Sequence, residues 1–427
     1  MASPRSFTPR AAAAPPLPIG RIEFVAMMAA SQALQALAVD AMLPALGMIA
    51  HDLGVANPNH RQLVVGVFLV AAGFGALLPG PLSDRFGRRR VLLVCFAGYV
   101  LLSLGCALAP GFNTLIGLRV AQAMASAGLV VLPAAVIRDR FAGDAMARML
   151  STVAMVFMIA PMVAPSIGQM VLLFAGWRWI FAMLAVIGAA VGTWVALRLP
   201  ETMALRHRQR IRPVRIAGNM LQAATDRSVA GYVVGGSLTF GALLGYINCS
   251  QQLVAEHFGA GAAFPLLFGS IAVLMACANF LNSRIVMRFG ARRVSHSALV
   301  IFLVLSGVQL GVALSGHETL ALFMPLIALN ACMLGFIGAN FSAIALQPFA
   351  GTAGSASSVQ AFLRMVIAAS LGIVIGQAYD GSARPLALAF ILCGTGALLM
   401  VAASERGRLF APAERAGEHA PQHPDIH

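Results

Sequence analysis

This chain has very little charge and no lysine. Only 10% of its 427 residues are Asp, Glu, Lys or Arg, and all 29 basic residues are arginine. Soluble domains carry about 25% charged residues; with 59% hydrophobic residues and a mean hydropathy of +0.84, that class is excluded. The missing lysine reads as coding bias rather than function. The net charge of +14 could suggest nucleic acid, but the arginines sit in loops between apolar runs, so no nucleic-acid partner is expected. Six cysteines occur, none in a metal-type CxxC spacing; free buried thiols are expected, and no metal site. GxxxxGK[ST], HExxH and GxSxG are all absent, which argues against an ATP motor, a zinc protease and an esterase. A polytopic sensor or membrane enzyme, the remote alternative, would need a soluble domain or a catalytic cluster, and neither is visible.

What is present is a series of apolar runs long enough to cross a bilayer, for which roughly 20 residues suffice. They give an all-α polytopic membrane protein with twelve spans: 22–49, 62–82, 91–109, 112–136, 148–174, 178–198, 228–255, 264–286, 294–314, 318–346, 354–379 and 384–403. Residues 1–21, rich in Pro and Ala, read as a disordered cytoplasmic tail. Residues 22–198 and 228–403 read as two six-helix bundles, 199–227 as a basic cytoplasmic linker and 404–427 as a second cytoplasmic tail. Loops on one side hold Arg85, Arg88, Arg89, Arg90, Arg138, Arg140, Arg148, Arg284, Arg288, Arg292 and Arg293; the other side has only Arg61, Arg178 and Arg384. The positive-inside bias places both termini in the cytoplasm of a bacterial inner membrane. Contact with anionic lipid accounts for the arginine runs.

Of fifteen Asp and Glu residues, Asp40 alone lies deep in a predicted span. A carboxylate there costs about 2.5–3.5 kcal/mol on insertion scales, so it is rarely idle. Arg119, in the fourth predicted span, is its expected partner. Counted from the opposite face, the two lie at depths of roughly 14 and 10 Å at ~1.5 Å per residue. An ion pair at about 4 Å and an effective dielectric near 20 gains about 4 kcal/mol before desolvation, and it would hold Asp40 ionised. Gln32, Gln35, Gln122, Tyr246, Asn248, Asn330 and Asn340 are further polar residues in spans, candidates for a substrate cavity, although each alone is as readily a packing contact. Arg364 sits about ten residues into the eleventh span with no acid nearby, either snorkelling or lining the cavity.

An internal repeat relates the halves. Arg85-Phe86-Gly87 recurs as Arg288-Phe289-Gly290 at an offset of 203 (288 − 85); Gly168-Gln169 recurs as Gly376-Gln377 at 208 (376 − 168). Such repeats mark secondary transporters, whose substrate site lies between the halves near the bilayer midplane.

Gly80-Pro81-Leu82-Ser83-Asp84-Arg85-Phe86-Gly87-Arg88-Arg89-Arg90-Val91-Leu92 resembles the signature loop of the major facilitator superfamily. Asp40-Ala-Met-Leu-Pro44, Arg119-Val-Ala-Gln122, Ile137-Arg138-Asp139, Gly176-Trp177-Arg178 and Tyr246-Ile247-Asn248 resemble the bicyclomycin/chloramphenicol-resistance branch of its drug:proton antiporters. The resemblance implies a latch of Gly80, Asp84, Arg85, Gly87, Arg88 and Asp139, with Asp84 against the start of the eleventh span when the transporter is open outward. In the second half Met287 replaces this acid. Physically, Gly80-Pro81 is expected to end a helix and Gly87 to permit a tight turn. Pro161, Pro165 and Gly168 resemble the superfamily's antiporter motif in part, with Ala160 and Ala164 where it has glycines. The implied function is proton-coupled efflux of small, mostly apolar drugs or metabolites by a functional monomer. It needs no cofactor beyond the proton gradient; a proton-coupled uptake symporter is the rival reading. Substrate identity and proton stoichiometry stay open.

Overall fold

The computed structural model describes residues 19–141, 143–203, 227–347 and 353–410. The central arginine run, most of both tails and the Phe349-Ala350-Gly351 repeat segment lie outside the described residues. Among the described residues there is no strand. Eleven helices are long and apolar enough to cross a membrane, and a bent pair makes a twelfth span.

In the first half the spans are Arg21–Asp40 with Leu46–Asp52, Leu63–Gly75 with Pro79–Phe86, Arg88–Ala107, Phe112–Arg140, Gly143–Phe157 with Ile159–Phe174, and Arg178–Arg198. The second half contributes Arg227–Gln251 with a π turn Gln252–His257, then Phe264–Phe289, Ala291–Ser315, Leu320–Leu346, Ala353–Gln377 and Arg384–Ser404. They are numbered spans 1 to 12 below. The face where the described chain begins and ends is the terminal face, and the opposite one the far face.

Prolines set three of the breaks. Pro44 lacks an N–H, and its ring collides with the carbonyl four residues back, that of Asp40. Span 1 accordingly ends its first helix at Asp40 and resumes after a short 3-10 turn, Leu43–Ala45. Pro161 acts likewise on Phe157, where span 5 breaks. In span 2 the bend of 43° falls before Pro79, which starts a new helix. Gly80-Pro81 therefore lies in the first turn of that helix and does not end one, because Pro81 evicts the carbonyl of Leu77.

The repeat is visible in geometry. Gly87 and Gly290 have φ of +101° and +82° with ψ of 146° and 152°, a conformation that only glycine adopts without strain. The preceding arginines lie over the following phenylalanines at 5.2 Å (Arg85 on Phe86) and 5.3 Å (Arg288 on Phe289).

Candidate functional site

Asp40 occupies the last helical position before the span 1 break and is 6% exposed. No hydrogen bond or ion pair from a described residue reaches its carboxylate. The expected pairing with Arg119 is not formed. Arg119 is fully buried and donates from Nη2 to the Ala38 carbonyl (3.0 Å), from Nε to the Val64 carbonyl (3.0 Å) and from Nη1 to Gln122 Oε1 (2.8 Å). Its plane sits over Phe68 at 4.1 Å and faces Phe181 at 5.7 Å. The depth argument was sound, but depth is half of helix geometry. Ala38 and Asp40 are two residues apart, about 200° around the helix, so a side chain reaching one lies on the wrong face for the other. Arg119 instead places its charge at the C-terminal, electronegative end of a broken helix.

Behind it runs a buried polar chain. Gln122 Nε2 donates to Ser103 Oγ (2.6 Å), and Ser103 Oγ to the Tyr99 carbonyl (2.7 Å). The second half repeats this chain: Asn330 meets Ser306 at 3.2 Å and donates to Gln309 at 2.9 Å. The serines are 203 apart (306 − 103) and the amides 208 (330 − 122). Asn340 donates to Asn282 (2.9 Å) and to the Phe336 carbonyl (2.9 Å). Gln122, Asn330 and Asn340 thus hold bundles together in this structure and do not line an open cavity. Gln32 donates to the Val130 carbonyl (3.3 Å), and Gln35 is half-buried.

The 208 offset also carries Asp40 onto Asn248. The equivalence is seen nine residues earlier in each half, about two and a half turns, where Ser31 Oγ bonds the Met27 carbonyl and Thr239 Oγ1 the Gly235 carbonyl. Both polar atoms of Asn248 and the hydroxyl of Tyr246 are buried and unbonded among the described residues. Tyr246 lies near-parallel to Phe268 at 6.3 Å. Gly168 packs directly on the Ala41 carbonyl at the span 1 break, and its repeat mate Gly376 packs on Gln62, 3.2 Å from Asn248 Cβ if it carried a Cβ. This gives the span 5 motif a definite contact: Gly168 is the notch that admits the broken backbone beside Asp40.

Every hydrogen bond and ion pair between described residues of the two halves lies at the far face. Arg61 grips Glu256 with two bonds of 2.7 Å. Asn59 Nδ2 donates to the carbonyls of Gln377 (3.1 Å) and Tyr379 (2.7 Å), Gln377 Nε2 to the Asn59 carbonyl (2.7 Å), and Gln252 Nε2 to Asn59 Oδ1 (3.1 Å). Gln62 Nε2 completes the layer on Gln252 Oε1. Deeper, Phe74 meets Phe362 edge-on at 5.4 Å, and Gly73 and Gly66 of span 2 pack on Val366 and Ile373 of span 11. None of these seal residues stood out in the sequence except Gln377, as part of the repeat. The available signal was a surplus of carboxamides at the far ends of spans 2, 7 and 11.

The seal is weak enough to open. A half-exposed ion pair contributes about 0–1 kcal/mol and each amide bond about 0.5–1.5 kcal/mol net. Against these stand Gln62 Oε1, Gln251 Oε1 and Arg61 Nε, buried without partners among the described residues, at about 1–3 kcal/mol each.

At the terminal face no hydrogen bond or ion pair between described residues joins the halves. Arg88 holds Asp84 (2.6 Å) and Asp139 (3.1 Å), its backbone N–H donates to Glu201 (2.8 Å), and Thr202 donates to Asp139 (3.2 Å). All lie in the first half, and Asp84 makes no hydrogen bond or ion pair to a described residue of the second. Arg85 rests on Phe86, and a Cβ at Gly80 would meet nothing within 4 Å. In the second half Arg292 pairs with Glu405 (3.0 Å), which accepts from the Tyr232 hydroxyl (2.5 Å).

Two repeated bundles, broken helices at an intramembrane carboxylate, and polar contacts between the halves confined, among the described residues, to one face define a secondary membrane transporter. Residues 28–376 match the family model described as Major Facilitator Superfamily, and the chain belongs to that superfamily. It is 31% identical over 359 residues, 83% of this chain and 89% of the other, to a bicyclomycin resistance protein homolog of Haemophilus influenzae. It is 29% identical to a chloramphenicol resistance protein of Pseudomonas aeruginosa, over 80% of this chain and 81% of the other. A solved D-xylose–proton symporter shares the fold at a TM-score of 0.71 and 15% identity, covering 92% of this chain and 98% of its own.

Proposed function

We propose that this chain is a proton-driven exporter of small, mostly apolar drugs or metabolites across a bacterial cytoplasmic membrane, with its termini in the cytoplasm. The resistance-protein names of its relatives support the cargo class. The arginines crowding the terminal-face loops support the orientation. Under that orientation the Arg61–Glu256 and carboxamide layer closes the outer face, which supports reading this as an inward-open state.

The observation that carries the reading is Asp40: an intramembrane acid without a partner, at a helix break, backed by a glycine notch. When the molecule is open outward, Asp40 takes up a proton and cargo leaves; when it is open inward, Asp40 releases the proton and cargo binds. Arg119 acts on this cycle by fixing the broken end of span 1 and not by pairing with the carboxylate. Asp84, held here by Arg88, is free to meet a helix N-terminus of the second half in the outward-open state, where the dipole favours an anion.

The test is a substrate screen in energised inverted vesicles, comparing wild type with Asp40→Asn. Compounds accumulated by wild type in proportion to the pH gradient and not by the variant support export coupled at Asp40. Gradient-driven accumulation that survives in Asp40→Asn sinks it.

A further inference from the structure

Arg364 is the second arginine deep in a span, and it is built unlike the first. Every guanidinium nitrogen of Arg119 has an acceptor, and the side chain is fully buried. Among the described residues Arg364 makes one hydrogen bond, from Nη1 to Ser342 Oγ (3.1 Å), and it lies over the Phe240 ring at 5.4 Å. No carboxylate of a described residue lies within 4 Å of it. Arg364, Ser342 and Phe240 come from spans 11, 10 and 7, and all three are half-buried, while Ala368 and Ala369 behind them are closed off.

The fold does not require this cation. Its first-half counterpart at the 208 offset is Val156, and the counterpart of Phe240 is Gln32. Val156 lines a mostly apolar cavity of about 630 Å³ between spans 1 and 5, at which Arg21 and Arg148 also lie. A guanidinium at this depth is costly unless an anion or water meets it. Its unused donors form the planar fork that matches a carboxylate, and the neighbouring phenyl face suits a flat apolar body. Ser342 is four residues from the terminal end of span 10, so the group lies toward the terminal face, where no hydrogen bond or ion pair between described residues joins the halves.

We propose that Arg364, Phe240 and Ser342 form an anion-accepting subsite in the second half, so that carried compounds include aromatic or apolar bodies bearing a carboxylate. This rests on the export reading for its transport consequence but not for its binding consequence.

The test is equilibrium binding of 1-naphthoate and its uncharged isostere 1-naphthamide to the full chain purified in detergent. Wild type binds the carboxylate about fivefold or more tighter; Arg364→Gln weakens the carboxylate about tenfold and the amide less than twofold; Arg364→Lys falls between, keeping charge without the fork. Thermal unfolding of each variant, within about 2 °C of wild type, excludes a folding defect as the cause. No preference for naphthoate in wild type, or equal weakening of both ligands in Arg364→Gln, overturns the subsite. Binding needs no gradient, so intact naphthoate discrimination with no gradient-driven export would sink the export reading alone. Export with arginine-independent binding would sink the subsite alone.

Discussion

The two halves of this molecule are one frame carrying different charges. Both have a glycine with positive φ after span 2 or span 8, and a buried serine–amide pair between spans 3 and 4 or 9 and 10. Both have a glycine notch on span 5 or 11. Where the first half holds Asp40 and Arg119, the second holds Asn248 and Ile327; where the second holds Arg364, the first holds Val156. Deep in the spans, what the halves share is therefore packing, and what they do not share is titratable or ionic chemistry. A residue present in both answers to the bilayer and the bundle. A charge present in one, which costs about 2.5–3.5 kcal/mol to insert, answers to something the other half does not do.

The largest expected effect comes from erasing that difference. Asp40→Asn gives span 1 the residue type of its counterpart in span 7. Accumulation driven by an imposed pH gradient should fall about tenfold or more, to the level seen without a gradient, while the variant inserts and unfolds thermally like wild type. Next come the two notches. A methyl at Gly168 drives into the Ala41 backbone, which cannot turn aside, and overpacking of this kind costs about 1–3 kcal/mol. A methyl at Gly376 meets chiefly the end of the Gln62 side chain, which can rotate away. Gly168→Ala should lower the unfolding temperature in detergent clearly more than Gly376→Ala. Equal losses would mean that the break beside Asp40 is no more constrained than its counterpart.

The parts legible in sequence were those fixed by local chemistry. The run from Gly80 to Leu92 marked the tight turn at Gly87, although the helix end expected at Gly80-Pro81 is a helix start. The break that Pro44 makes after Asp40 falls inside what read as one unbroken span. The repeat showed through Arg-Phe-Gly and Gly-Gln. The Asp40–Arg119 pair was expected from depth and failed on azimuth, because helical phase across a break is set by packing. The far-face layer was illegible for another reason. Asn59, Gln62 and Gln252 resemble ordinary polar residues at span ends until two halves far apart in sequence are brought together.

That layer supplies the third effect, smaller because the ion pair is half-exposed. Glu256→Gln removes the charge that Arg61 grips, a loss of about 0.5–1 kcal/mol, which raises the population open at the far face about two- to fivefold. Spin labels on exposed Ala56 and Asp380, one in each half, would report a larger fraction at long distance. An unchanged distribution would place the seal in the carboxamides and the span 2–span 11 contact.

The smallest effect concerns an acid that only the second half has. Arg178 donates to the Ala109 carbonyl (3.1 Å), and Arg384 does the equivalent to Ala313 (3.1 Å); beside Arg384 the second half adds Glu318, 3.8 Å from His257. Burial raises the Glu318 carboxyl above the usual range, opposed by His257 and Arg384, and its Oε1 has no hydrogen-bond partner among the described residues. A carboxyl raised in the folded state disfavours folding once it is ionised, above that raised value, and the penalty lifts as pH falls through it. Glu318→Gln should therefore be at least as stable as wild type at neutral pH. Wild type should gain on it steadily as pH is lowered toward about 5, read as the difference in unfolding temperature between the two proteins. If the gap widened in the variant's favour on acidification, the His257 and Arg384 charges would outweigh burial, and Glu318 would be an ordinary member of an ion cluster rather than a strained one.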